Sequence, residues 1–205
     1  MGRVRRRQWV CGVFLFCVVM ATASLAQTTL TTLASFDGTD GKWPNLMNLT
    51  QGSDGNFYGT TVLGGTCELS FIGCGTVFKV SSVGTLTTLY SFCSQSNCAD
   101  GEQPVGTLVR DAGNNFYGIT SGGGFNPGGT VFKITPAGVL TTVYSFCALA
   151  ECADGQEPVA GLVQSSKNGN FYGTTALGGI NGGGTVFEIT PEASTGKPRR
   201  EELQA

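Results

Sequence analysis

The sequence predicts an all-β, propeller-like fold of three four-stranded antiparallel repeats, and three observations lead there. Blocks recur in fixed order: Leu86 to Phe92, Asn115 to Gly118 and Gly129 to Thr135 return as Leu140 to Phe146, Asn170 to Gly173 and Gly184 to Thr190, and upstream as Leu30 to Phe36, Asn56 to Gly59 and Gly75 to Val80. The step is about that of one propeller blade, 54 positions from Leu86 to Leu140 and 55 from Gly129 to Gly184. Thirty-two glycines with few charges suit short strands joined by many tight turns. These features divide residues 28–190 into copies at 28–82, 83–136 and 137–191.

Within the middle copy, four runs rich in Thr, Val, Tyr and Phe read as strands: Leu86 to Phe92, Pro104 to Arg110, Asn115 to Thr120 and Thr130 to Thr135. Turn residues separate them, with Asp100-Gly101 before the second run, Asp111 to Asn114 before the third and Gly122 to Gly124 with Pro127 to Gly129 before the fourth. Strict alternation places Leu86, Thr88, Tyr90 and Phe92 on one face and Leu89 on the other, so both faces are partly apolar. A blade flanked by other blades needs that pattern.

The N-terminus reads as an export signal over residues 1–26: Arg3, Arg5, Arg6 and Arg7, then an apolar run from Val10 to Met20, then Ser24-Leu25-Ala26 with small residues at the cleavage positions. The apolar run is short for a membrane span of about 20 residues. Cys11 and Cys17 lie in this leader and leave with it. The expected destination is extracellular, periplasmic or cell-surface, without membrane association after cleavage. The remaining six cysteines accompany insertions. Cys67 and Cys74 sit in extra residues between Gly59 and Gly75, and Cys93 with Cys98 and Cys147 with Cys152 sit in lengthened Phe-to-Asp loops. Local bonds Cys67–Cys74, Cys93–Cys98 and Cys147–Cys152 are therefore expected, with Cα separations of about 4.4 to 6.8 Å. A zinc site is disfavoured, because the chain has no histidine and its cysteine gaps are wide.

Four of the 12 basic residues and none of the 14 acidic ones lie in residues 1–26, which leaves the remainder at −6. An acidic surface argues against nucleic acid as a partner. Chemistry is sparse. Asp40, Asp100 and Asp154 precede glycine and read as turn residues in preference to calcium ligands. Glu102 and Glu157, paired with Asp100 and Asp154, would be the acid/base carboxylates of a glycosidase, but carboxylates repeated from copy to copy read as structural. Tyr58, Tyr117 and Tyr172 would make a sugar-stacking ladder, yet rings in a Phe-Tyr pair point to opposite strand faces and read as core. No phosphate loop and no histidine-dependent triad is present in the sequence, and no cofactor or metal is expected.

The blocks Leu-Thr-Thr-Leu-Tyr-Ser-Phe, Asp-Gly-x-x-Pro, Gly-Asn-Phe-Tyr-Gly-Thr-Thr and Gly-Thr-Val-Phe-Lys-Ile-Thr resemble those of the bacterial tandem-repeat proteins named after Gloeobacter and Verrucomicrobia, over Leu30 to Thr190. The resemblance implies an exported β-repeat protein and no activity. Residues 192–205 depart from it as a polar tail, disordered by composition. Three blades fall short of the about four to eight that close a propeller. A truncated gene product, pairing with another copy through open faces carrying Leu33, Tyr90, Phe132 and Phe187, and another mode of packing all remain open.

The function expected is a structural or interaction module of the cell exterior, not an enzyme, partnered by its own copies or by other surface components. The alternative is a carbohydrate-binding or carbohydrate-active protein. Peptide mapping of the exported protein without reductant should recover the three local disulfides. A crosslink between different copies, or free thiols, would refute the pairing.

Overall fold

The computed structural model describes residues 28–44, 47–67 and 73–191. The leader read over 1–26 and the tail read over 192–205 lie outside the described residues. The chain divides at Thr31/Thr32. Residues 28–31 are exposed and form no strand, and every strand named below lies in the second unit.

Among the described residues, three antiparallel sheets follow one another along the chain. The first holds β1 (Thr50–Gln51), β2 (Phe57–Thr61), β3 (Thr76–Val80) and β4 (Leu86–Ser91). The second holds β5 (Glu102–Arg110), β6 (Phe116–Gly122), β7 (Thr130–Ile134) and β8 (Leu140–Ser145). The third holds β9 (Gln156–Gln164), β10 (Phe171–Leu177) and β11 (Val186–Ile189). Each sheet is a meander, and the set is not a closed ring.

The expected class is present, but strands are grouped one step out of phase with the copies at 83–136 and 137–191. Leu86 to Ser91 does not open the second sheet. It completes the first, with Val80 opposite Leu86 and Val77 opposite Tyr90. Locality explains this: a tight turn in which Gly84 N–H donates to the Ser81 carbonyl at 3.0 Å joins β3 to β4, whereas the longer cysteine loop carries the chain to the next sheet. The third sheet thus has three strands, and Leu30 to Phe36, the first copy of this block, forms none.

Strict alternation along the Leu-Thr-Thr strand also fails. Thr88 pairs with Phe78 and Tyr90 with Val77, so Leu89 is an extra residue at a bulge, and Thr88 and Tyr90 face opposite sides. The same shift occurs between Thr142 and Tyr144.

The core lies between sheets. Tyr58, Val77 and Phe92 of the first sheet and its following loop meet Leu108, Phe116, Phe132 and Ile134 of the second. Tyr117, Ile119, Val131 and Phe146 meet Leu162 and Phe171 of the third, with Phe187 and Ile189 packed alongside. Tyr58 stacks on Phe116 at 4.1 Å and Tyr117 on Phe171 at 4.2 Å between ring centroids. Phe132 and Tyr90 therefore belong to an internal interface and Phe187 to the next, not to the open faces where the sequence put them. Leu33 is exposed as expected.

At one end of each sheet a pair of threonine hydroxyls bridges neighbouring strands, Thr61 with Thr76 at 2.8 Å, Thr120 with Thr130 at 2.8 Å and Thr175 with Thr185 at 2.9 Å. The glycine of each Asp-Gly lies over that pair. A Cβ on Gly41 would come 2.6 Å from Thr61 Cγ2, and one on Gly155 would come 2.6 Å from Thr175 Cγ2. Asp-Gly, Gly-Thr-Thr and Gly-Thr-Val-Phe are thus parts of one packing unit.

Glycines at crossings between sheets should be the least replaceable. Gly129 has φ +93° and a Cβ there would come 2.6 Å from Pro158 Cδ, while Gly169 has φ +75° and open space around it. In chemical denaturation Gly169→Ala should cost about 1–2 kcal/mol for the left-handed backbone. Gly129→Ala should cost about 1–3 kcal/mol more for overpacking. Equal losses would show that the close approach at the crossing is dispensable.

Candidate functional site

The most elaborate polar structures are the two cysteine loops that carry the chain from one sheet to the next, and they are built alike. Each contains a short 3-10 turn, Ser96–Cys98 or Ala150–Cys152, with left-handed backbone at Cys93, Asn97 and Cys98 and at Cys147, Glu151 and Cys152. The cysteines of each pair lie at bonding distance, as do Cys67 and Cys74. Cα separation is 5.6 Å for Cys67–Cys74, inside the expected range, and 4.0 Å for each of the two shorter loops, just below it.

An aspartate organises each loop from within. Asp100 is fully buried; its Oδ2 accepts from the Tyr90 hydroxyl at 2.7 Å and the Ser94 N–H at 2.9 Å, and its Oδ1 from the Gln95 N–H at 3.2 Å. Asp154 repeats this with the Tyr144 hydroxyl at 2.8 Å and the N–H groups of Ala148 and Leu149 at 3.0 and 3.1 Å. Asp40 departs from it: Ala34 stands where those tyrosines stand, and the Asp40 carboxylate accepts from the Asp37 N–H at 2.9 Å.

Electrostatics follow from these contacts. Burial, then the Asp154 hydrogen bond and charge, pushes Tyr144 up to about 12. Burial pushes Tyr90 up to about 12 as well, with Asp100 adding to the rise and Ser94 opposing it. Tyr58 is raised to about 12 by burial and by Asp54. Burial works to raise Asp154, but the Ala148 and Leu149 N–H groups and the Tyr144 hydroxyl outweigh it and hold the carboxyl below its ordinary value.

The carboxylates read as a possible acid/base set do not repeat as one. Glu102 begins β5, where the third sheet has Gln156, while Glu157 corresponds to Gln103. The tyrosine ladder is internal, since Tyr58 and Tyr117 are buried in the two sheet interfaces and Tyr172 is half-buried. Among the described residues the exposed rings are others, Trp43 and Phe125. Both lie in segments where the copies differ, so periodicity carries no signal for them. The structure also brings together what sequence spacing kept apart: one ligand atom from each of Cys67, Cys74 and Cys93 lies within 4.8 Å of the others, as do those of Cys93, Cys98 and Glu102. Paired as disulfides these sulfurs are not thiolate ligands.

One cleft of about 360 Å³ lies on the first sheet, lined by Leu33, Phe36, Leu49, Phe78, Val80 and Leu86 among others, with no carboxylate in its wall. No helix among the described residues is long and apolar enough to cross a membrane.

The tyrosine–aspartate pairs give a pH signature. Asp154 titrates below its ordinary 3.8 when folded, so its contribution is present above that value and lost as pH falls through the lower folded one. Tyr144 titrates above its ordinary 10.0, so its contribution is present below pH 10.0 and lost as pH rises through about 12. Melting temperature should drop on both limbs. Tyr144→Phe should flatten the alkaline limb and Asp154→Asn the acid one. Absorbance titration should show Tyr58, Tyr90 and Tyr144 ionising near 12. Ionisation of all tyrosines near 10 in the folded protein would contradict this.

Comparison with known proteins adds the family and little chemistry. No curated protein matches the chain in sequence. Among solved structures, the chain is similar to an X-ray structure of a provisionally assigned gluconolactonase, at 15% identity over 70% of this chain and 47% of that one, with a TM-score of 0.38. The chain spans about half the length of that structure, and a likeness this low transfers neither residues nor activity. The model of the Gloeobacter/Verrucomicrobia repeat matches residues 18–198 and so takes in all three sheets; the chain belongs to the Gloeobacter/Verrucomicrobia repeat family.

Proposed function

We propose that this chain is an exported structural or interaction module, with no catalytic role, in which the sheets form a rigid platform and the cysteine loops present the contact surface. The observation that carries this reading is that its repeated polar and aromatic residues are already engaged within the chain. Asp100 and Asp154 are occupied by backbone and tyrosine donors, and Tyr58 and Tyr117 by stacking between sheets. What varies between copies is the loops, and loops on a rigid scaffold are where recognition evolves. Three cysteine pairs at bonding distance support export to an oxidising compartment. Partners on this reading are other components of the cell exterior.

A second reading, carbohydrate binding, has one observation in its favour: the exposed rings of Trp43 and Phe125, the first with Lys42 Nζ 6.0 Å from its centroid. The apolar cleft does not favour glycan cleavage, which needs two carboxylates facing the scissile bond.

A glycan array and a panel of polysaccharide and ester substrates test both readings on the protein lacking residues 1–26. The expected outcome is no turnover, and binding to surface partners that is lost when Ser94 to Asn97 is replaced by a Gly/Ser linker at unchanged melting temperature. Glycan degradation abolished by Glu102→Gln or Glu157→Gln, again at unchanged melting temperature, would replace the scaffold reading with an enzyme. Glycan capture abolished by Trp43→Ala would favour the second reading.

A further inference from the structure

The two interfaces inside the chain define what each sheet face is built to meet, and each outermost sheet retains one uncovered face. Val77 and Val131 are fully covered by the following sheet, whereas Val186, at the same place in the third repeat, is 81% exposed. Leu108 and Leu162 are 2% and 6% exposed beneath the preceding sheet, but Leu49, their counterpart, is 52% exposed beside the cleft. The far face of the third sheet and the near face of the first are therefore the two halves of one repeated interface.

The edge strands show the same complementarity. β4 and β8 complete their sheets, while β11 has only β10 as a hydrogen-bonded neighbour among the described residues. The missing kind of strand occurs once more, as Leu30 to Phe36, and Glu192 to Ala205 has no such pattern. From Leu33 on, that segment already stands where a fourth strand stands. A Cβ on Gly84 would strike the Leu33 carbonyl, just as one on Gly138 would strike that of Leu89. Phe36 meets Phe78 edge-on at 4.9 Å, as Phe92 meets Phe132 at 5.1 Å and Phe146 meets Phe187 at 4.9 Å. It occupies the place of a fourth strand against the sheet that follows it, without being paired into a sheet itself.

We infer that the occupant of both open surfaces is a second copy of this chain, with residues 32–36 of each copy pairing along β11 of the other. The register of β7 with β8 carries over: Thr32 lies opposite Phe187, Ala34 opposite Val186 and Ser35 opposite Thr185. Tyr172 enters the cleft on the first sheet of the other copy and stacks on its Phe57, extending the series Tyr58–Phe116 and Tyr117–Phe171. The contact is head-to-tail, and such contacts either close or run on as filaments. One copy brings three sheets and two bring six, which falls within the about four to eight blades that close. The structure assigns residues 32–36 and β11 as the two halves of the junction, which goes beyond the scaffold reading and stands independently of it.

Light scattering on the protein lacking residues 1–26 should give twice the single-chain mass, with a melting temperature that rises with concentration. Val186→Lys, at a position exposed in the single chain, should return the mass to one chain while leaving the dilute melting temperature unchanged. Ala34→Cys combined with Val186→Cys should yield a two-chain crosslink under mild oxidation, and neither single variant should. A single-chain mass for the unaltered protein, a dimer indifferent to Val186→Lys, a crosslink within one chain, or a single-chain mass that becomes double on removing residues 192–205 would each overturn the inference.

Discussion

Aromatic contact between consecutive sheets is the interaction on which the remaining structure depends. Phe-Tyr-Gly serves three neighbours at once. In the second sheet, Phe116 receives Tyr58 from the sheet before, Tyr117 reaches Phe171 in the sheet after, and Gly118 leaves room for the Phe132 ring on the adjacent strand. Stacked pairs contribute about 0.5–1.5 kcal/mol beyond the area they bury. Their larger role here is to fix how one sheet sits on the next.

Much of the polar chemistry gathers at the ends of the sheets, where it closes what the aromatic layers leave open. Hydroxyl pairs such as Thr120 with Thr130 satisfy each other under the Asp-Gly glycine, and the adjoining aspartate collects the donors of the cysteine loop. The buried carboxyl of Asp100 is tolerated because neighbouring donors converge on it. Geometry of this kind holds a loop in place whatever its exposed residues are, which frees positions such as Gln95 and Leu149 to differ.

Much of this was legible in the recurrence itself. The all-β class, the turn role of Asp100 and Asp154 and the core role of Tyr58 and Tyr117 all follow from repetition combined with strand alternation. Three features were not. The grouping of Leu86 to Ser91 with the sheet before it depends on which connection is shorter, and a repeated sequence looks the same wherever its copies are cut. The bulge at Leu89 shifts the alternation by one, and nothing in a run of Thr and Leu marks it. Exposure of Val186 against burial of Val131 is a property of neighbours, invisible in two identical Thr-Val-Phe segments.

The one-strand offset bears on how such genes grow and shrink. Because every complete sheet borrows its last strand from the next copy, recombination that adds or removes one 54- or 55-residue period restores whole sheets wherever the breakpoint falls, including inside a strand. Copy number can then drift without any intermediate passing through a broken sheet.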